Sequence, residues 1–353
     1  LPSLEETVLK KIHLTTEDMA DFFAELYILK QAEIPEKKAL KMMARGQDKK
    51  NIQRLLKVLN TALSLRLGLA QLPAVIPEYI IALLAQEETK NNNTNVLNDI
   101  AKHLYDLSAS ENIASYRQQL RACFLYPAIL LLIMFVISIL LQIFIIPVFA
   151  ALFESFGTEL PQLTIMIINL MESVESNIGI LLILSIILTI YLKSSYSSDF
   201  KSELTLQLPI IGSTVRNIES SAVINTLYLL CSYQFDFTEA LRLSASATRN
   251  TVFITALTES SDKKIINEYG LNDLRKKHIF SEKTMRLLEI FEKTQQLYIL
   301  ENIAQSYRQQ IPKQTALSLR ILNIILLIVC WLILTITIIG LYLPIFKMGN
   351  SVF

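Results

Sequence analysis

Leu26-Tyr27-Ile28-Leu29, followed by Ala39-Leu40, returns as Leu227-Tyr228-Leu229-Leu230, followed by Ala240-Leu241, both parts at an offset of 201 residues. A second string, Val96-Leu97-Asn98-Asp99-Ile100-Ala101, returns as Ile299-Leu300-Glu301-Asn302-Ile303-Ala304 at an offset of 203. The spacing within each copy is helical. Met19, Phe22, Phe23, Leu26 and Leu29 recur every three or four positions, which places them on one stripe of a helix. Val223, Leu227 and Leu230 draw the matching stripe in the second copy. Thr15 followed by Asp18 reads as an N-cap with an acid in the first turn, and Pro35 opens a second helix carrying Ala39, Leu40 and Met43. Glycine is scarce, with eight in the chain, and no Asn-Gly or Asp-Gly hairpin turn occurs. The sequence therefore predicts an all-α fold with two homologous helical bundles.

Each copy runs into apolar sequence. Residues 124–149 are almost wholly apolar, with Ser138 and Gln142 the only strongly polar members. A helix needs roughly 20 residues to cross a bilayer's hydrocarbon core, so this run suffices. Residues 178–192 give a mostly apolar run of 15, a shorter span that requires an earlier helix start or a locally thinned bilayer. The run 321–343 is 23 residues long, with Trp331 inside and Arg320 just before. The apolar segment 163–171 reads as an amphipathic helix at the outer surface.

Charge orients these spans. After Arg121 no Lys or Arg appears until Lys193, while Glu154, Glu159, Glu172 and Glu175 fall in the gap. Residues 1–122 and 193–320 hold 16 basic residues each. By the positive-inside rule both are cytoplasmic and the acidic loop is translocated. The expected organisation is a cytoplasmic bundle over 1–122, a span over 124–149 and a periplasmic loop over 150–177. A span over 178–192, a second cytoplasmic bundle over 193–320, a span over 321–343 and a periplasmic tail over 344–353 complete it. The first eleven residues carry both charges and no apolar core, so they do not read as a secretory signal.

The chemistry of catalysis is missing from the pattern. No G-x-x-x-x-G-K-[ST] loop, H-E-x-x-H or G-x-S-x-G occurs, and His13, His103 and His278 lie far apart. Cys123, Cys231 and Cys330 form no CxxC pair and read as free thiols. The formal net charge of +1 argues against a nucleic-acid partner. Gln142, Asn323, Thr335 and Thr337 are neutral, which suits bonds between helices better than an ion pathway. The basic run Asp273-Leu274-Arg275-Lys276-Lys277-His278 reads as a solvated helix end, and Glu87-Glu88 and Glu292 as solvated carboxylates. A non-enzymatic scaffold is the reading these features favour; a polytopic transporter or channel subunit is the alternative.

The order of bundle, span, acidic loop, span, bundle and span resembles the inner-membrane platform proteins of type II secretion systems and type IV pili, over nearly the whole chain. Ile34-Pro35 with Ala39-Leu40 is similar to that family's G-x-P-L-x-x-A-L, which puts Pro35, Leu40 and, in the second copy, Leu241 on the motif. Tyr126-Pro127 matches its Tyr-Pro, and Pro147 with Pro161 and Thr164 resembles its outer-loop pattern. Leu208-Pro209-Ile210-Ile211-Gly212 matches L-P-x-x-G, and Pro344 falls in an ending like the family's. Gln86-Glu87-Glu88-Thr89 and Phe291-Glu292-Lys293-Thr294 depart from G-E-x-x-G by losing both glycines. That departure weakens any calcium site the resemblance implies, since calcium takes about six to eight oxygens. It also suggests a divergent branch, such as that of the bundle-forming and toxin-coregulated type IVb pili. The resemblance implies a bacterial inner-membrane protein; no cofactor is expected from the residues, the calcium of the resemblance being unsupported by them. Its partners would be a cytoplasmic assembly ATPase and a retraction ATPase, pilin, other inner-membrane pilus proteins, membrane lipid and further copies of itself.

Overall fold

Thr15 opens the first described helix with a reciprocal pair of bonds. Its Oγ1 accepts from the Asp18 N–H at 3.0 Å, and Asp18 Oδ2 accepts from the Thr15 N–H at 3.2 Å. This capping box satisfies two amides for which a first helical turn has no partner. The helix it starts, α1 (Thr16–Gln31), turns Met19, Ala20, Phe22, Phe23 and Leu26 inward.

The computed structural model describes residues 14–46, 49–72, 75–90, 95–110, 113–155, 198–266 and 270–351, together with 162, 165, 166 and 169. The protein is all-α, with no strand among the described residues. In the first copy α1 is followed by α2 (Glu36–Gly46), α3 (Lys50–Thr61), α4 (Leu65–Ala70), α5 (Glu78–Lys90) and α6 (Asn95–Ser110). Then come α7 (Ile113–Phe144) and α8 (Ile146–Ser155). The second copy holds α9 (Ser198–Gln207), α10 (Ile211–Ser232), α11 (Phe237–Ser244), α12 (Thr251–Ile266), α13 (Gly270–Lys276) and α14 (Glu282–Thr294). It ends in α15 (Leu297–Ser351), one helix of 55 residues.

The duplication is a structural fact down to single hydrogen bonds. At the end of α1, Glu33 takes φ 58°, and at the end of α10, 201 positions on, Gln234 takes φ 64°. Around the first corner the N–H groups of Ala32, Glu33 and Ile34 donate to the carbonyls of Ile28, Lys30 and Leu29. Around the second, those of Tyr233, Gln234 and Phe235 donate to Leu229, Cys231 and Leu230, the same three bonds at the same offset. A left-handed residue lets the chain double back while capping the last carbonyls. The repeated apolar positions match as well: Leu26 and Leu227, Ala39 and Ala240, and Leu97 and Leu300 are all wholly buried.

A second corner explains the L-P-x-x-G string. Ile210 has φ 72° and ψ −55°, and the Ile211 N–H donates to the Pro209 carbonyl at 2.8 Å, a γ-turn of the strained sense. The chain then returns so closely that a Cβ on Gly212 would lie 2.3 Å from the Leu206 carbonyl oxygen. Only glycine fits there.

The chain divides into two units, Leu1–Ile113 with Ser202–Gln314, and Ala114–Lys201 with Thr315–Phe353. The first unit gathers both helical copies. In it α1 packs along α6, and α2 against α3, while α10 meets α11, α5 and α6.

The second unit carries apolar sequence. On α7 the side chains of Leu125, Leu132, Ile137, Ile143 and Phe144 are exposed, while Pro127 is buried inside the helix. The helix stops at Ile145, two residues before Pro147, so 124–149 is not one unbroken helix. A proline disfavours helical geometry in the residue before it and offers no N–H to the carbonyl four back. Tyr116 Oη lies 3.2 Å from Ser318 Oγ, which ties α7 to α15 within this unit. Inside α15, Leu297–Ile339 is the one described helical stretch long and apolar enough to cross a membrane, and almost none of its most apolar window is buried. The expected span 178–192 and most of the outer loop lie outside the described residues.

Candidate functional site

α10 is buried at ten consecutive positions, 218–227. An amphipathic helix buries one stripe, so burial all round means neighbours on every side. α11 of its own copy covers one side of α10, and α5 and α6 of the first copy cover another. The seam between the copies is therefore internal to one unit, and it is polar. Polar groups shut away from water are costly unless paired; Ser220, Ser221 and Glu219 find partners within their own copy, and Thr226 finds one across the seam.

His103 on α6 sits at its centre. Its Nε2 is 3.0 Å from Thr226 Oγ1 on α10, and the Thr226 hydroxyl donates to the Ala222 carbonyl at 2.9 Å. The Thr226 oxygen must then accept from His103, which makes the imidazole a neutral Nε2–H tautomer. The Tyr79 ring meets it edge-on at 5.5 Å between centroids. Burial, with the positive charge of Arg308 second, pushes the His103 pKa down to about 3. Arg308 bridges the copies from α15, its Nη2 reaching Asp106 Oδ2 at 2.8 Å and Asn225 Oδ1 at 3.2 Å.

The end of α10 makes a second contact. The Tyr233 hydroxyl donates to Asp99 Oδ2 at 2.7 Å, and Gln86 Nε2 donates to the Tyr233 carbonyl at 2.7 Å. Burial first, then the bond to Asp99, raises the Tyr233 phenol well above its ordinary value. At the rim Arg242 pairs with Glu78 at 3.0 Å, and the Tyr79 N–H donates to Ser246 Oγ at 3.2 Å. Burial, and then Asp236, pushes the nearby Cys231 thiol up to about 12. At neutral pH His103 is uncharged and Cys231 is protonated, so both act as packing and bonding groups. The arrangement holds two helical copies in one register.

The residues marked by the sequence motifs are spread through both units. Pro35 opens α2, its carbonyl accepting from the Lys38 and Ala39 N–H groups, and Leu40 and Leu241 are core residues at equivalent corners. Glu87 is half-buried on α5, where burial raises its pKa. Glu88 pairs with Arg66 at 2.7 Å, so the two adjacent acids do different things. Glu292 is half-buried on α14. Pro209 is exposed and Gly212 buried at the γ-turn. In the second unit Tyr126 is exposed, Pro127 lies inside α7 and Pro147 in the first turn of α8. Pro344 falls within α15, and Pro161 and Thr164 lie outside the described residues. Among the described residues no three acidic, histidine or cysteine groups converge to hold a metal ion.

Sequence reasoning missed the seam. His103 reads as a lone histidine far from the other two, and Thr226 and Asn225 carry no motif. One signal was present: the string from Glu219 to Thr226 mixes small, polar and apolar residues with no clean outward face. Sequence reasoning also passed over the charge on α2 and α3.

Comparison with known proteins fits this architecture. Residues 22–147, from α1 into α8, match the family described as Type II secretion system (T2SS), protein F. Along its length the chain resembles proteins of two related machines. It is 23% identical to the Type IV pilus assembly protein PilC of Pseudomonas aeruginosa, covering 95% of this chain and 91% of that protein. It is 23% identical to the Protein transport protein HofC homolog of Haemophilus influenzae, covering 95% and 86%. With the Type II secretion system protein F of Pseudomonas aeruginosa the identity is 22%, covering 96% and 84%. Residues 22–147 thus carry the likeness to protein F, and the chain as a whole is similar to secretion and pilus-assembly proteins of this kind.

Proposed function

We propose that the protein is the inner-membrane platform of a type IV pilus or type II secretion machine. It passes movement from a cytoplasmic assembly ATPase to pilin subunits entering the fibre, and it is not itself an enzyme. The observation that carries this reading is mechanical: two helical copies close on each other through a buried polar seam, and the second runs on into apolar sequence as one unbroken helix. The relatives' names supply the machine. In this reading both copies face the cytoplasm, α7 and α15 cross the membrane, 178–192 supplies a third crossing, and the carboxyl terminus lies in the periplasm.

Reporter fusions and co-purification test it together. Alkaline phosphatase fused after Ser260 should be inactive and after Glu154 active, and the full chain in detergent should retain the secretion-type ATPase encoded with it. An external Ser260 would overturn the topology. A chain that retains no such ATPase would overturn the coupling role.

A further inference from the structure

α2 and α3 form a hairpin whose charge is unlike that of the rest of the molecule. Residues 36–61 hold eight Lys and Arg against two acids, whereas the whole chain is balanced to +1. Inward, the hairpin is ordinary: Ala39, Leu40 and Met43 on α2 and Ile52, Leu55, Leu56 and Leu59 on α3 are buried. Outward, Lys37, Lys38, Lys41 and Arg45 fall within about a third of the turn of α2, at roughly 100° per residue. Lys50 and Lys57, two turns apart, share one face of α3. All six are exposed, and among the described residues none has an ion pair. Glu36 is turned away to accept from the Leu65 N–H at 2.8 Å, and Lys49 is committed to Asp18 at 2.6 Å. Met42 beside these cations and Leu63 just past α3 are exposed apolar groups.

We propose that this face binds the anionic phospholipid headgroups of the membrane in which α15 is anchored. The inference rests on the reading that α15 spans that membrane. Six flexible, exposed cations on two packed helices, with no aromatic residue in 36–61, make a diffuse positive field. A fluid anionic surface needs charge and no fixed register, so it fits such a field. A protein partner would want a packed apolar centre, and single-stranded nucleic acid would want aromatic stacking platforms. Met42 and Leu63 can enter the headgroup layer between the lysines. Anchoring by α15 holds the face at high effective concentration near lipid, so each contact can be weak.

The test is lysine footprinting of the full chain in nanodiscs of phosphatidylcholine alone, or with about a third phosphatidylglycerol. Acetylation of Lys37, Lys38, Lys41, Lys50 and Lys57 should slow about fivefold or more in the anionic discs, relative to Lys283 and Lys293 on α14. About 0.5 M salt should remove the difference, and so should the double variant Lys37→Glu with Lys41→Glu, read at Lys50 and Lys57. Equal rates in both discs overturn the proposal. Slowing seen only after the ATPase is added overturns it too, and assigns the face to a protein. If the chain does not enter discs at all, the spanning reading of α15 fails separately. Flotation with phosphatidylglycerol vesicles then decides for the face: native protein floating better than the variant supports it, and equal behaviour overturns it.

Discussion

Two ordinary residues stand where the backbone favours glycine. Glu33 and Gln234 hold equivalent left-handed corners, and a side chain at positive φ costs roughly 1 kcal/mol relative to glycine. Glu33→Gly and Gln234→Gly should therefore each stabilise the protein by about 0.5–1 kcal/mol, read as a raised thermal midpoint in detergent. A fall in the midpoint for both would mean that the corners are held by side-chain contacts instead. The motif Ile34-Pro35 pointed to a turn at this place. The sign of φ was not legible, because glutamate and glutamine carry no signal for it. At Gly212 the reverse holds: the glycine was visible, but its reason, the approach of the Leu206 carbonyl, exists only once α9 and α10 are folded.

Elements were legible where one face is apolar and the other is not. The stripes of α1 and α2 appear in the sequence as they do in the structure. α15 was legible only in part, because Pro312 and the charged residues before Arg320 suggest an end where the helix continues. The sequence also holds a decoy. Glu111-Asn112-Ile113-Ala114 and Ser115-Tyr116-Arg117-Gln118-Gln119 recur as Glu301-Asn302-Ile303-Ala304 and Ser306-Tyr307-Arg308-Gln309-Gln310, a stronger identity than the pairing of 96–101 with 299–304. Structure settles the register, because Leu97, Ile100 and Ala101 are buried as Leu300, Ile303 and Ala304 are, and each string follows a turn after an equivalent helix. The membrane role proposed for α15 can be tested with one charge. Ile328→Asp should weaken insertion by about 3 kcal/mol at a helix centre and release protein on alkaline extraction. Ile28→Asp, at a residue that is also exposed and apolar but on α1, should not. Equal retention of both variants would argue against a span.

At the scale of the molecule the seam makes the copies unequal: α10 is buried on all sides, α1 on one. The same joint predicts a pH response. His103 has its pKa lowered in the folded protein to about 3, against 6.5 for the free side chain, so between those values the unfolded chain binds the extra proton. Its contribution is complete above about pH 6.5 and is lost as pH falls toward 3. At pH 5 the loss is about 2 kcal/mol, several degrees in midpoint between pH 7.5 and 5. His103→Gln should flatten that part of the profile, and an unchanged profile would show that His103 is not buried neutral. The sequence by itself determined that the protein is helical, that its helical part is duplicated, and that 321–343 is apolar enough for lipid. Periodicity reports only that a side chain avoids water. It does not say what lies opposite, so the pairing of His103 with Thr226, 123 positions apart, had to come from the fold. The tertiary structure alone decided which copy is central and that the joint between them is polar. It also decided that the cations of α2 and those of α3 stay exposed while the two helices pack on each other. Each depends on groups far apart in sequence meeting, or failing to meet, a partner in space.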